Sequence, residues 1–319
     1  MDPKHIKEKL LELKNEVLSI DMKCIKSHLR VIEECKTICS PINDQTEDVC
    51  IEVIRECESV LWLFWGFNCD GKCSYPRSFL MFIENQTEEI CIEAVKLNVY
   101  ALEYVKNQTE EICWAAVKAY TDALGFVKNQ TEEICLMAAK QNGYALKHIK
   151  NQIEEMCFEA VKQHGKSITF VKDQTEELCL MAVRQNSNAL KHIKNQTEEI
   201  CIEAVRKDGY TLGYVKEQTE EICLAAVRQN GCALRSVKNQ TEEICWAAMK
   251  QKLYTFVYVK NQTEEMCFYA ICQDPMALKY VKDQTVEMCI EAARRDIKAL
   301  EHIKDPVMRE HINRIVGNI

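Results

Sequence analysis

Four cysteines near the N-terminus have a spacing that could hold a metal ion. Cys35 and Cys39 are four residues apart in a segment expected to be helical, and Cys69 and Cys73 flank a short turn. Two such pairs supply four thiolates, which could bind zinc in a tetrahedral site. Because CxxxC is less specific than CxxC, a disulfide and unbonded thiols remain as alternatives, and unbonded thiols are the default in a reducing compartment.

Ten of the nineteen cysteines recur at intervals of 22 residues, from Cys91 to Cys289. Their neighbours are apolar, as Ile90 and Ile92 are beside Cys91, so we expect these thiols to face inward. On a series of stacked helices, neighbouring Cα atoms would be ~8–10 Å apart, whereas a disulfide needs about 7 Å or less. We therefore interpret this cysteine ladder as a row of small buried side chains, with redox or metal chemistry as the alternative.

Other residue types that could do catalysis lack suitable partners. His148, His192 and His302 lie at a repeat position that other repeats fill with tyrosine, which indicates the edge of a core. No serine or cysteine has a histidine at a spacing typical of a catalytic triad. Adjacent glutamates such as Glu110 and Glu111 diverge on a helix, and no glycine-rich loop could hold a phosphate. We expect no catalytic residues, no cofactor and no enzymatic activity.

A repeat positions all of these residues. From residue 85 to residue 304 one unit of 22 residues recurs ten times, a pattern typical of solenoid proteins. We number the repeats 1 to 10 and the positions within each repeat 1 to 22. Position 2 is always Gln, position 5 Glu, position 7 Cys, position 10 Ala and position 22 Lys. An upstream copy ending at Cys50 is out of phase, which requires an insertion or an irregular unit before Cys91.

Each repeat is predicted to form two helices. In repeat 2 the first helix begins after the N-cap Thr109 and runs to about Tyr120. Its inward stripe has helical spacing and consists of Ile112, Cys113, Ala116 and Val117. A second, shorter helix follows, with Ala145, Leu146 and Ile149 as its inward side in repeat 3. Helices of about eleven and eight residues are marginal alone, so the repeats must stack around one core.

The junctions between repeats explain several shared residues. Gly143, Gly165, Gly209 and Gly231 occupy the place where a left-handed residue would end the first helix. The invariant alanine indicates a close approach of two helices. We expect the invariant glutamine to hydrogen-bond backbone groups that are freed where one repeat meets the next, and Lys150 to close the second helix near its negative end.

The predicted fold class is all-α, an α/α solenoid of 22-residue two-helix repeats with helical N- and C-terminal caps. Residues 1–40 form a helical cap or an oligomerisation segment, residues 41–84 contain irregular first repeats with a Cys/Trp-rich insertion, and residues 305–319 form a capping helix that starts at Asp305-Pro306. The amphipathic pattern of the first segment rests on Ile6, Leu10, Leu13 and Val17, and the aromatic cluster of the insertion on Trp62, Phe64, Trp65 and Phe67.

Composition and charge exclude several classes of function. The net charge is -8, and Lys and Arg alternate with Glu along the chain, so we expect no nucleic-acid partner. The most apolar run, residues 60–67, is far shorter than the ~20 residues that cross a bilayer, so we expect no membrane partner. No signal peptide is visible after Met1, which predicts an intracellular, soluble protein.

Two segments carry a resemblance to a known family. Thr131–Leu146 (TEEICLMAAKQNGYAL) and Thr219–Leu234 resemble short helical repeats of unknown function that are found in giant DNA viruses, with looser relatives in bacteria. The resemblance covers residues 85–304 and the unit at Cys50. It implies a viral protein in the host cytoplasm or the virion, and it brings no catalytic residue and no cofactor.

The function of a solenoid usually lies at surface positions that vary between repeats. Three such positions vary, namely 9, 16 and 19, and position 9 holds Glu93, Ala115, Met137, Glu159, Met181 and Tyr269. They predict a stripe that binds a host or viral protein and includes Tyr100, Tyr144, Tyr210, Tyr254, Lys147, Lys191 and Arg235. A solvated face without a partner is the plainer alternative. We therefore expect a protein–protein interaction scaffold. The alternatives are a self-associating homo-oligomer of the virion or viral factory, and a zinc-binding or redox protein that uses the N-terminal cysteines.

Overall fold

The structure is a computed structural model that describes residues 8, 9, 12, 47–65 and 78–316, with side chains between 47 and 65 described only for 47–55 and 58. Residues 8, 9 and 12 are helical. The remainder of the predicted N-terminal helix lies outside the described residues, as do the side chains of the aromatic cluster.

The described residues contain helices and no strand. A long helix, Glu47–Trp65, precedes the repeats. The ten repeats each contain one α-helix of ten residues: Glu88–Leu97, Glu110–Ala119, Glu132–Gln141, Glu154–Gln163, Glu176–Gln185, Glu198–Lys207, Glu220–Gln229, Glu242–Gln251, Glu264–Gln273 and Val286–Arg295. The last helix is Pro306–Val316. No helix of the described chain combines the length and the apolar character of a membrane span.

The second helix of each repeat is a 3-10 helix, shorter than the predicted eight residues. The 3-10 helices are Phe79–Phe82, Ala101–Tyr104, Thr121–Phe126, Gly143–His148, Gly165–Phe170, Ser187–His192, Gly209–Tyr214, Gly231–Ser236, Leu253–Tyr258, Pro275–Tyr280 and Ile297–His302. Their hydrogen bonds span three residues, as from Ala145 N to Asn142 O at 2.9 Å. Two helices per repeat are thus confirmed, and the solenoid class with them.

The chain divides into two compact units, Met1–Gln163 and His164–Ile319. Within each unit, the α-helices of consecutive repeats pack against each other, and so do consecutive 3-10 helices. The predicted inward stripe is confirmed, because Ile112, Cys113, Ala116 and Val117 are all buried. The invariant alanine is fully buried in every repeat, which leaves no room for a larger side chain at the helix contact.

The invariant glutamine joins adjacent repeats, as predicted. Gln174 Nε2 donates to Ile168 O of the preceding repeat at 2.9 Å and to His192 O of its own repeat at 3.2 Å. Its Oε1 accepts from Lys194 N at 2.9 Å. One amide therefore satisfies three backbone groups that the short 3-10 helices leave without helical partners.

The invariant lysine also crosses a junction. Lys194 Nζ donates to Lys172 O, which is 22 residues earlier, at 2.8 Å, and Lys238 Nζ donates to Lys216 O at 2.9 Å. Each ammonium thus binds a carbonyl at the negative end of the preceding repeat's 3-10 helix. The prediction placed this lysine at the end of the second helix of its own repeat, whereas its ammonium binds a carbonyl of the preceding repeat, as Lys150 Nζ does with Lys128 O at 3.3 Å.

The left-handed glycine predicted at the end of the α-helix is wrong. The C-cap residue is extended, as Asn142 is with φ -151° and ψ 112°, and the glycine begins the 3-10 helix instead. Glycine is needed for close approach: a Cβ added to Gly209 would lie 2.6 Å from Ala226 O of the next repeat. The constraint comes from the neighbouring helix and not from the local backbone angles.

The helix after repeat 10 starts as the Asp-Pro pair predicts. Asp305 Oδ1 accepts from Val307 N at 2.8 Å, and Pro306 is the first helical residue. Ile312 is buried against repeat 10, whereas the charged and polar residues predicted to face water are exposed, namely Arg309, Glu310, His311, Asn313 and Arg314.

Replacing the bridging amide should destabilise the stack. Gln174→Leu leaves three backbone groups unsatisfied at a half-buried junction, so we expect the free energy of unfolding to fall by about 2–4 kcal/mol. Urea denaturation followed by circular dichroism measures this. The matched control is Gln273→Leu, the same substitution at an exposed position. Equal unfolding midpoints for the two variants would refute the bridging role.

Two glycines of one 3-10 helix should respond oppositely to alanine. Gly209→Ala forces a methyl group against Ala226 O, so we expect a loss of about 1–3 kcal/mol. In Gly213→Ala the methyl group would meet only Ser236 Oγ at 3.8 Å, so stability should stay the same or rise by about 0.4–1 kcal/mol. The comparison of melting temperatures tests this order, and a less stable Gly213 variant would contradict it.

Candidate functional site

The 3-10 helices of consecutive repeats form one side of the stack, which we call the 3-10 side, and the α-helices form the α-helix side. The 3-10 side carries the predicted interaction residues. In the C-terminal unit, Tyr210 is 60% exposed and Tyr254 is 55% exposed, both at position 16. Their backbones lie in 3-10 helices that are fixed by buried neighbours, Leu212 and Phe256. The scaffold therefore holds two large aromatic side chains in water at the same repeat position.

These two tyrosines and a cysteine between them form a contiguous patch across three neighbouring repeats. Cys232, at position 16 of repeat 7, is hydrogen-bonded through Sγ to the hydroxyl of Tyr254 in repeat 8. This bond to Cys232 is the main reason that the pKa of Tyr254 rises to about 12, and the nearby hydroxyls of Tyr210 and Tyr258 raise it further. Tyr210, Cys232 and Tyr254 thus lie side by side, and we call them the position-16 patch.

The candidates of the N-terminal unit are engaged within the chain. Tyr100 is half-buried and packs edge-on against Phe126, with ring centroids 5.7 Å apart. Lys147 Nζ lies 2.9 Å from Asp122 Oδ1. Tyr144 is 36% exposed. A cleft of about 400 Å³ lies beside them and is lined in part by Tyr100, Asp122 and Lys147.

Asp122 faces two basic side chains of the next repeat. Besides Lys147, it faces His148, whose Nε2 is 3.4 Å away but lacks the geometry of a hydrogen bond. The hydrogen bond from Lys147 is the main cause that lowers the pKa of Asp122. Burial is the main cause that lowers the pKa of His148, and Asp122 opposes it.

In repeats 4 and 5, the position equivalent to Asp122 carries a positive charge. Lys166 replaces the aspartate, and Lys191 and His192 occupy the positions of Lys147 and His148. The pKa of His192 is lowered first by burial and then by the positive charges of Lys191 and Lys166. Farther along this side, Arg235 is exposed in repeat 7. These cations and the position-16 patch lie in the same unit.

The α-helix side carries a feature that the sequence reading missed. Position 8 holds a large apolar residue in every repeat, yet each one is only half-buried. Trp246 packs edge-on against Tyr269 at a centroid distance of 5.2 Å, with Lys250 Nζ 5.8 Å from the Trp246 ring. An open groove of about 790 Å³ lies on this side between repeats 6 and 7, at Arg206 and Leu224. In the sequence, this feature was indicated by the large apolar residue that follows the invariant cysteine in every repeat.

The cysteine ladder is buried, as predicted, and its thiols are unbonded. Burial raises the pKa of several of these thiols, to about 11 for Cys201. In seven of the ten repeats the Sγ lies near the invariant glutamine, as Cys201 Sγ does at 3.9 Å from Gln196 Oε1. The zinc candidates Cys35, Cys39, Cys69 and Cys73 lie outside the described residues. Within the described ranges, no three His, Cys, Asp or Glu residues converge on a possible metal site.

Thiol labelling should separate the ladder from the half-exposed cysteines. At pH 8 the buried thiol of Cys201 is protonated, so we expect iodoacetamide to modify Cys232 and Cys272 at least about tenfold faster than Cys201. Mass spectrometry of peptides after timed labelling measures the rates. In urea the difference should vanish, and fast native labelling of Cys201 would contradict its buried, protonated state.

Comparison with known proteins extends to part of the chain. A family model described as "Domain of unknown function (DUF4116)" matches residues 131–174, 153–196, 175–220 and 197–240. Successive matches begin 22 residues apart, in agreement with the repeat period. No curated protein and no solved structure matches the chain. Residues 131–240 are therefore similar to a repeat family of unknown function.

Proposed function

We propose that the protein is a non-enzymatic scaffold that binds another protein through the 3-10 side of its C-terminal unit. The observation that carries this proposal is the position-16 patch, where Tyr210 and Tyr254 are exposed at the same position of a rigid repeat. At the same position, the patch is bounded by Asn188 in repeat 5 and Met276 in repeat 9.

The physical chemistry of the patch favours protein recognition. Tyrosine has few rotatable bonds and a large apolar ring with a polar tip, so it contributes contact area at a low entropic cost. Tyrosine and arginine are enriched among residues that dominate binding energy. Arg235 is exposed in repeat 7, between the repeats of Tyr210 and Tyr254, which completes a set of side chains suited to one partner segment.

Two observations support a non-enzymatic role. The ladder thiols are buried, and their raised pKa values keep them protonated at neutral pH, so they are poor nucleophiles. His148 is half-buried beside Lys147 and Asp122, and its lowered pKa follows mainly from burial. These groups are explained by packing and by local charge.

The resemblance to giant-virus repeats supports a more specific form of the proposal. We infer a viral protein that acts in the host cytoplasm, with a host or viral protein as its partner. Self-association into a component of the virion or viral factory is the competing outcome. It would place a second copy of the chain on the same surface.

An affinity pull-down from host-cell lysate, with mass spectrometry as the readout, tests the scaffold role. We expect a specific protein to be retained by the wild type and lost with the double variant Tyr210→Ala/Tyr254→Ala. The loss should exceed about 2 kcal/mol of binding free energy, or roughly 30-fold in Kd, when the partner is titrated.

The control is Tyr269→Ala, which removes a tyrosine from the α-helix side. Loss of the partner with this variant alone would move the binding surface to that side. If only the bait is recovered and light scattering gives a mass above that of the monomer, the scaffold proposal is wrong and self-association is the better explanation.

A further inference from the structure

Position 16 holds an acidic residue in repeat 2 and a basic residue in repeat 4, and both face the same basic pair in the repeat that follows. In repeats 2 and 3, Asp122 lies 2.9 Å from Lys147 Nζ and 3.4 Å from His148 Nε2. The aspartate thus supplies an internal counter-charge to the basic pair of the next repeat. This arrangement needs no external anion.

In repeats 4 and 5 that counter-charge is missing. Lys166 stands at the position of Asp122, and the basic pair Lys191 and His192 is retained. Both lysines are exposed. The pKa of His192 is lowered first by burial and then by the charges of Lys191 and Lys166. In the described part of the chain, no carboxylate lies within ion-pair distance of these three groups. We call Lys166, Lys191 and His192 the basic cluster.

Carboxylates are also absent from three surface positions along repeats 4 to 9. Positions 16, 19 and 20 of repeats 4 to 9 contain no Asp or Glu, although the whole chain has a net charge of -8. Asp208, two residues before Tyr210, caps the 3-10 helix Gly209–Tyr214, because its Oδ1 accepts from Tyr210 N at 3.0 Å. At these three positions the repeats therefore combine cations with exposed tyrosines, and the charge of these positions is opposite to the net charge of the chain.

We propose that an acidic segment of a partner protein binds along this side, with one of its carboxylates held by the basic cluster and its apolar residues against the position-16 patch. The partner's carboxylate takes the part that Asp122 plays in repeats 2 and 3. The inference rests on the proposed function and specifies the chemistry of its partner.

The spacing of the cations favours a protein segment over a nucleic acid. A phosphate backbone requires a dense row of cations. Here the basic cluster and Arg235 are separated by repeat 6, whose positions 16, 19 and 20 are Tyr210, Gly213 and Tyr214. Aromatic and apolar contacts between two charged ends match a peptide whose acidic residues alternate with apolar ones.

The test uses the full-length protein and a short fluorescein-labelled peptide of alternating Glu and Leu, with fluorescence anisotropy as the readout. Lys166→Asp restores the arrangement of repeats 2 and 3, so we expect about tenfold weaker binding, as for the loss of a charge-assisted contact. The matched control is Lys298→Asp, the same change at position 16 of repeat 10, which should leave the affinity unchanged. The Gln–Leu version of the peptide should bind at least about tenfold more weakly than the Glu–Leu peptide.

A second readout reports on the site itself. NMR titration of the His192 imidazole should show a higher pKa with the Glu–Leu peptide than without it, because a nearby carboxylate favours the protonated form. The His148 imidazole, which already faces Asp122, should shift less and serves as the internal reference.

Three results would overturn the proposal: equal affinity of wild type and Lys166→Asp, equal affinity for the Glu and Gln peptides, or tighter binding of a single-stranded oligonucleotide of equal charge. Failure of the acidic-segment proposal is distinct from failure of the scaffold. If a lysate partner is lost with the tyrosine variant but retained with Lys166→Asp, the scaffold stands and the acidic partner does not.

Discussion

The amide of the invariant glutamine is the interaction on which the rest of the structure depends. A ten-residue α-helix and a six-residue 3-10 helix are both too short to be stable alone, and their ends expose several backbone groups. Gln174 satisfies one carbonyl of the preceding repeat and two backbone groups of its own. The bond needs a fixed distance between repeats, which the fully buried alanine sets by allowing the α-helices to approach closely. The glycine at Gly209 is a consequence of the same approach.

In such a stack, the positions that determine stability differ from the positions that are free to vary on the surface. Positions that face the core or the junctions hardly vary, since each one is constrained by the next repeat. Positions 16 and 19 have no such constraint, and they change from tyrosine to aspartate, lysine or cysteine without disturbing the backbone. The rigid 3-10 helices hold these side chains at a regular spacing, so neighbouring repeats can build a surface that no single repeat contains. The position-16 patch and the basic cluster are both surfaces of this kind.

Electrostatics on the 3-10 side depends on pairs of adjacent repeats. Asp122 and Lys147 belong to different repeats, and so do Lys166 and Lys191. The sign of one residue at position 16 decides whether the basic pair of the following repeat is neutralised internally or left for an outside anion. Such a surface is changed by point substitutions that cost little stability, because the residues concerned are exposed.

The sequence alone determined the repeat period, the threonine N-caps, the inward stripe, the bridging role of glutamine and the start of the last helix at Asp305. The caps, the stripe and the start of the last helix follow from local hydrogen bonding and helical spacing, which are readable from residues close together in the chain. The role of glutamine was indicated by its invariance where one repeat meets the next. Only the tertiary structure decided that the second helix is a 3-10 helix, that glycine serves close packing and not a left-handed turn, and that position 8 stays half-exposed. It also brought Lys166 to the basic pair of the next repeat. All of these depend on distances between atoms about 20 residues apart in the chain, and such distances are fixed by the packing of one repeat on another.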